Sequence, residues 1–112
     1  MILAVDIGNT NIVVGCIKGE EICFVERMST EATRTELEYA ISFKNVLEMY
    51  GISIEQLDGG IISSVVPPVT NIVKWSVEKI LNTEVMLIGP GVKTGLNILM
   101  DDPRQVGSDR IV

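Results

Sequence analysis

The first seventeen residues constrain this chain most. Two short apolar runs, Met1-Ile2-Leu3-Ala4-Val5 and Ile12-Val13-Val14-Gly15-Cys16-Ile17, flank the polar stretch Asp6-Ile7-Gly8-Asn9-Thr10-Asn11. Runs this short and this rich in β-branched residues predict two strands, and the polar stretch between them predicts the turn of a hairpin. The residue types in that turn allow two readings. A glycine able to take a positive φ, beside three small side chains bearing amides or a hydroxyl, can present a concavity of backbone N–H groups to a phosphate. Asp6 would then stand at its mouth, ready to hold a metal ion or its water shell. The other reading is an ordinary hairpin turn, in which Gly-Asn pairs are common.

The remaining pattern alternates strands with helices. Lys18-Gly19-Glu20-Glu21 predicts a tight turn, and Ile22 to Met28 a third strand that completes an antiparallel meander. A turn at Gly19-Glu20 would set Cys16 and Cys23 opposite one another, as reduced core thiols or, less commonly in the cytosol, as a regulatory disulfide. Thr33 and Glu36 have capping-box spacing for a helix running to about Tyr50, with Leu37, Ala40, Ile41, Val46, Leu47 and Tyr50 towards the sheet. Glu36, Glu38, Lys44 and Glu48 would face water, and Gly51 would end the helix. Gly59 to Val66 predicts a parallel strand. Pro67-Pro68 opens a second helix with the stripe Val69, Ile72, Val73, Val77, Ile80 and Leu81, which leaves Trp75 off the buried face. Asn82-Thr83 closes that helix, and Glu84 to Ile88 supplies a fifth strand. The order βββαβαβ describes an α/β domain built on a mixed five-stranded sheet with flanking helices.

Composition removes several chemistries. The 112 residues are enough for one domain, and 46% of them are apolar, enough for a core that is mostly aliphatic. There is no histidine, so Ser-His and Cys-His nucleophilic systems and most zinc sites are excluded, and carboxylates are left as the general bases. A net charge of −6 disfavours nucleic acid and anionic membrane surfaces as partners. No apolar run approaches the roughly 20 residues of a membrane helix, and the N-terminus lacks a signal-peptide pattern, which together predict a cytoplasmic protein.

Four stretches in order, Asp6 to Asn11, Ser63-Ser64-Val65-Val66-Pro67, Gly91-Val92-Lys93-Thr94-Gly95-Leu96 and Asp102-Pro103-Arg104-Gln105-Val106-Gly107-Ser108-Asp109-Arg110, resemble the type III pantothenate kinases. That family is a branch of the acetate and sugar kinase, Hsp70 and actin superfamily. The resemblance implies a ribonuclease H-like fold for this half-domain and transfer of the ATP γ-phosphoryl group to the hydroxyl of pantothenate, the first step towards coenzyme A. Asp6 would organise Mg²⁺ and the transfer geometry, and Gly8, Asn9, Thr10 and Asn11 would bind phosphate. Asp109 would accept the hydroxyl proton, while Gly107, Ser108 and Arg110 would contact the substrate. One position departs from the family pattern: Met100 stands where a tyrosine usually precedes the Asp-Asn-Pro motif, so a phenolic hydroxyl is lost from the substrate pocket.

Gly91 to Gly95 would lead into that pocket, where Lys93 is either a contact or a solvated loop charge. The resemblance also implies a monovalent cation, K⁺ or NH₄⁺, held by a second domain, and a homodimer to which Trp75 would contribute. Residues 1–112 are then the N-terminal domain of a two-domain kinase. The apolar segment starting at Ile111-Val112 leads to the expectation that the chain continues, and that this piece alone has no kinase activity. A sugar or carboxylate kinase, or a nucleotide-sensing module of the same fold, would share the first loop.

Overall fold

The computed structural model describes residues 1–88, which form one five-stranded mixed sheet with two helices on one of its faces. Three strands come first: β1 (Ile2–Ile7), β2 (Asn11–Lys18) and β3 (Glu21–Ser29). The chain then crosses through α1 (Glu36–Met49) to β4 (Gly59–Ser64), and through α2 (Pro67–Leu81) to β5 (Met86–Ile88). The spatial order is β3-β2-β1-β4-β5. The meander is antiparallel, and β4 and β5 run parallel to β1, as crossover connections require. The expected α/β class, the element order βββαβαβ and the mixed five-stranded sheet are therefore observed.

Strand register assigns the two faces. Leu3, Val5 and Ile7 of β1 lie beside Cys16, Val14 and Ile12 of β2 and, on the other side, Gly60, Ile62 and Ser64 of β4. With Tyr39, Phe43 and Leu47 of α1 and Val69, Val73 and Val77 of α2, the apolar members of that face form one aliphatic and aromatic core. The alternation of β1 sends its other residues, Ile2, Ala4 and Asp6, to the opposite face. A single period-2 pattern thus separates the core residues from the carboxylate.

Several boundaries differ from the sequence expectation. β1 continues two residues past Val5, so Asp6 and Ile7 belong to the strand and the connecting turn is shorter than expected. β4 stops at Ser64 instead of Val66, because Ser64 Oγ turns back to accept the Val66 N–H at 3.0 Å. α1 is capped by Thr35, not Thr33: Thr35 Oγ1 accepts the Glu38 N–H at 3.2 Å, and Glu38 Oε1 accepts the Thr35 N–H at 2.8 Å. The sequence holds two overlapping Thr-x-x-Glu frames. The Tyr39 hydroxyl selects the second, since it donates to the Glu31 carbonyl at 2.7 Å and accepts the Glu31 N–H at 2.9 Å, which holds 31–34 outside the helix.

The buried stripe of α1 is corrected as well. Ala40, Val46 and Leu47 face the core as expected, but Leu37, Ile41 and Tyr50 are exposed while Tyr39 and Phe43 are fully buried. Two stripes compete on this helix. The one carrying two aromatic rings wins, because burying them removes more apolar area from water. Tyr50 instead stacks on Phe24 at 4.4 Å between ring centroids and donates to the Glu26 carboxylate, which raises the phenol pKa. Gly51 does terminate the helix: its N–H reaches the Glu48 carbonyl at 3.1 Å and the next, from Ile52, reaches Leu47 at 2.9 Å.

α2 follows its pattern closely. Pro67 and Pro68 occupy its first positions, Val69, Val73 and Val77 are buried, Trp75 is half exposed, and Asn82 closes the helix in the left-handed region at φ 57°. The cysteines do not pair across the strands. A register shift after Cys16 aligns it with Phe24 and leaves Cys23 as the extra residue, so Cys16 is buried and Cys23 exposed. Burial pushes the Cys16 thiol up to about 11, which leaves it an inert core group at neutral pH.

Candidate functional site

The site lies where β1 and β4 end side by side. In open α/β sheets the carboxyl ends of parallel strands are where ligands bind, because the chain departs there into loops and helix N-termini. Asp6 pairs in register with Ser63, and Ile7 with Ser64. Asp6 and Ser63 therefore project from the same face of neighbouring strands, which run about 4.8 Å apart. Ser63 is only 6% exposed.

Beyond Ile7 the chain turns through Gly8, Asn9 and Thr10 into β2. Gly8 is required there by close approach and not by a positive φ, which it does not adopt. A Cβ at Gly8 would meet the Asn11 backbone oxygen at 3.2 Å, a crowded contact that the oxygen would have to relieve by a few tenths of an ångström. The Gly8 N–H donates to that oxygen at 2.9 Å and so is not free for a ligand. Asn9 and Thr10 are exposed at the tip, and their N–H groups make no hydrogen bond among the described residues. The donors that the loop leaves exposed are thus the N–H groups of Asn9 and Thr10 with the Asn9, Thr10 and Asn11 side chains.

The loop is pinned from a third strand. Thr30, just after β3, donates from Oγ1 to the Gly8 carbonyl at 2.8 Å and from its N–H to the Thr10 carbonyl at 2.9 Å. On the other flank the Val65 N–H donates to the Ile7 carbonyl at 3.1 Å, and Thr70 Oγ1 lies 2.7 Å from Ser64 Oγ. These contacts fix the loop relative to the start of α2. Sequence reasoning gives Thr30 no role and includes Ser63 only as part of a motif. Thr30 leaves no local signal, since its contacts exist only once β3 pairs with β2. The place of Ser63 beside Asp6 appears only when β4 is set in register against β1.

The donor set fits a magnesium–phosphate group. Among the described residues no three His, Cys, Asp or Glu side chains cluster into a protein-only metal site. Mg²⁺ prefers one or two carboxylates, its own waters and substrate phosphates, which is the set that Asp6 and the adjacent loop could complete. A groove elsewhere, at the carboxyl end of α1, is lined by Lys44, Leu47, Glu48, Gly51 and Ile52 and includes neither Asp6 nor the loop after β1. Lys93, Met100, Gly107, Ser108, Asp109 and Arg110 lie outside the described residues.

Strand order and paired helices define an α/β fold for the chain. Of its residues, 79% superpose on 33% of the ROK hexokinase from Thermus thermophilus, with a TM-score of 0.59 at 15% identity, a likeness of fold. The chain belongs to the type III pantothenate kinase family, whose sequence model matches residues 2–112. Type III pantothenate kinases from Brevibacillus brevis and an Exiguobacterium species are 46% and 45% identical to it over all 112 residues. The chain spans 44% of the length of each of those relatives.

Proposed function

We propose that the complete protein transfers the γ-phosphoryl group of ATP to the hydroxyl of pantothenate, with residues 1–112 forming the N-terminal wall of a two-domain cleft. Family membership supports the substrate. The observation that carries the site is Asp6 at the carboxyl end of β1, beside a loop that Thr30 holds in place. Asp6 would hold magnesium through its waters, and Asn9, Thr10 and Asn11 would bind the phosphates. A magnesium ion held there would supply positive charge to offset that of the phosphate oxygens. Asp109 accepts the hydroxyl proton, Arg110 orients the anionic substrate, and Gly107, Ser108 and Met100 line its pocket. A monovalent cation bound by the second domain completes the set.

Two further assignments go with this reading. The exposed Trp75 on α2 suits a subunit contact, which supports a homodimer. No described helix is long and apolar enough to cross a membrane, and a cytoplasmic location is proposed on the function. The test is ADP release by the full-length protein with ATP, Mg²⁺ and a panel of alcohols. Pantothenate alone should support turnover, and Asp109→Asn should abolish it while nucleotide still binds. Preference for a sugar or a small carboxylate would replace the substrate assignment.

A further inference from the structure

Ser63 is the one feature of this site that the fold does not explain. It is 94% buried by the complement of its 6% exposure, yet its hydroxyl makes no hydrogen bond among the described residues. The adjacent Ser64 is satisfied, its Oγ engaging Val66 and Thr70, and so is Ser76, the other buried polar residue among the described ones, which donates to the Val73 carbonyl at 2.7 Å. A buried hydroxyl without a partner is costly and uncommon in folded proteins, and each such group calls for a reason. Alanine would fill nearly the same volume without that cost. The position of Ser63 supplies the reason, since its register partner on β1 is Asp6, on the same face.

We infer that Ser63 is a ligand-positioning residue whose hydroxyl donates to an oxygen of the magnesium–triphosphate group held by Asp6, a bond made only when nucleotide is bound. The inference rests on the reading of Asp6 given above. Neighbouring parallel strands hold their side chains near enough to share one ligand between them. The carboxylate supplies charge, whereas the hydroxyl supplies a directed donor that a second carboxylate could not. The unmet hydrogen bond of the free protein is thus converted into binding, a trade of stability for function that sites commonly make.

The test is Ser63→Ala in the full-length protein, read by calorimetric titration with Mg²⁺ and a non-hydrolysable ATP analogue, by pantothenate KM, and by thermal melting without ligand. Analogue affinity should fall about tenfold, the loss expected for one hydrogen bond to a charged group. Pantothenate KM should not change. The unliganded melting temperature should stay level or rise by about 2 °C, because an unsatisfied buried hydroxyl has been removed. Affinity equal to wild type would overturn the inference, as would a fall of more than about 2 °C in the unliganded melt, which would mark the hydroxyl as structural. Asp6→Asn separates the two levels. If it weakens analogue binding while Ser63→Ala does not, the Asp6 site stands and only the role of Ser63 fails; if neither weakens it, the site reading fails as well.

Discussion

The meander contains two turns of similar length and opposite character. Between β2 and β3 the chain reverses at Gly19, whose φ is +64° and around which a Cβ would meet nothing within 4 Å. Between β1 and β2 it reverses at Gly8, which has no positive φ but where a Cβ would press on the Asn11 oxygen at 3.2 Å. The first glycine is present for its backbone conformation, and the second for lack of space. Among the described residues only the second turn is tied by hydrogen bonds to another part of the protein, through both donors of Thr30. A turn held in this way from outside its own hairpin keeps its exposed N–H groups fixed in direction, whereas the turn at Gly19 has no such brace among the described residues.

Substitutions can break or sharpen this contrast. Gly8→Ala should have the largest effect: crowding against a backbone oxygen that is itself hydrogen-bonded should cost about 1–3 kcal/mol and should weaken Mg²⁺–nucleotide binding at least tenfold, measured by chemical denaturation and titration of the full-length protein. Gly19→Ala should cost about 1 kcal/mol, from left-handed strain, and leave nucleotide affinity unchanged. Equal losses of affinity in the two variants would erase the distinction between the turns. Thr30→Val should remove the 2.8 Å bond to Gly8 and cost roughly 1 kcal/mol, with a several-fold rise in KM for ATP and faster hydrogen exchange at the Gly8 N–H, which the loop holds against the Asn11 carbonyl.

The smallest effect lies far from either turn. The Glu78 carboxyl is held below its ordinary value, first by the Lys74 ammonium at 2.9 Å and then by the Val85 N–H at 3.1 Å. A depressed carboxyl pKa stabilises the fold at pH values above the ordinary value of 4.5, and that contribution disappears as pH falls through the folded value. Glu78→Gln should therefore cost roughly 0.5 kcal/mol at neutral pH and nothing once wild type is protonated, as read from paired melts across the acid range. The two glycine variants should keep their ranking over the same neutral range.

Much of the architecture was legible in the residues because local signals agreed. Pro67-Pro68, the valine stripe of α2 and Asn82 each act within a few residues, and each appears as expected. α1 was harder because two frames were present at once. Its capping box and its buried stripe were both ambiguous locally, and the contact between Tyr39 and Glu31, eight residues apart, resolved the start. At the candidate site, Asp6 and the loop residues stand out by type, but Gly8 does not take the positive φ that its residue type allows. A positive φ and a crowded Cβ both favour glycine, and a sequence cannot tell them apart.

Period-2 alternation and helical spacing by themselves determined that this chain forms an α/β domain, and four ordered motifs determined its family. They act through near neighbours along the chain, so the linear order already contains them. Tertiary structure alone decided that Ser63 stands beside Asp6, that Thr30 braces the loop after β1, and that Cys16 and Cys23 part company at a bulge. Each of those facts depends on the register between strands. Register is set by the burial of a whole face at once, and no local stretch of sequence records it.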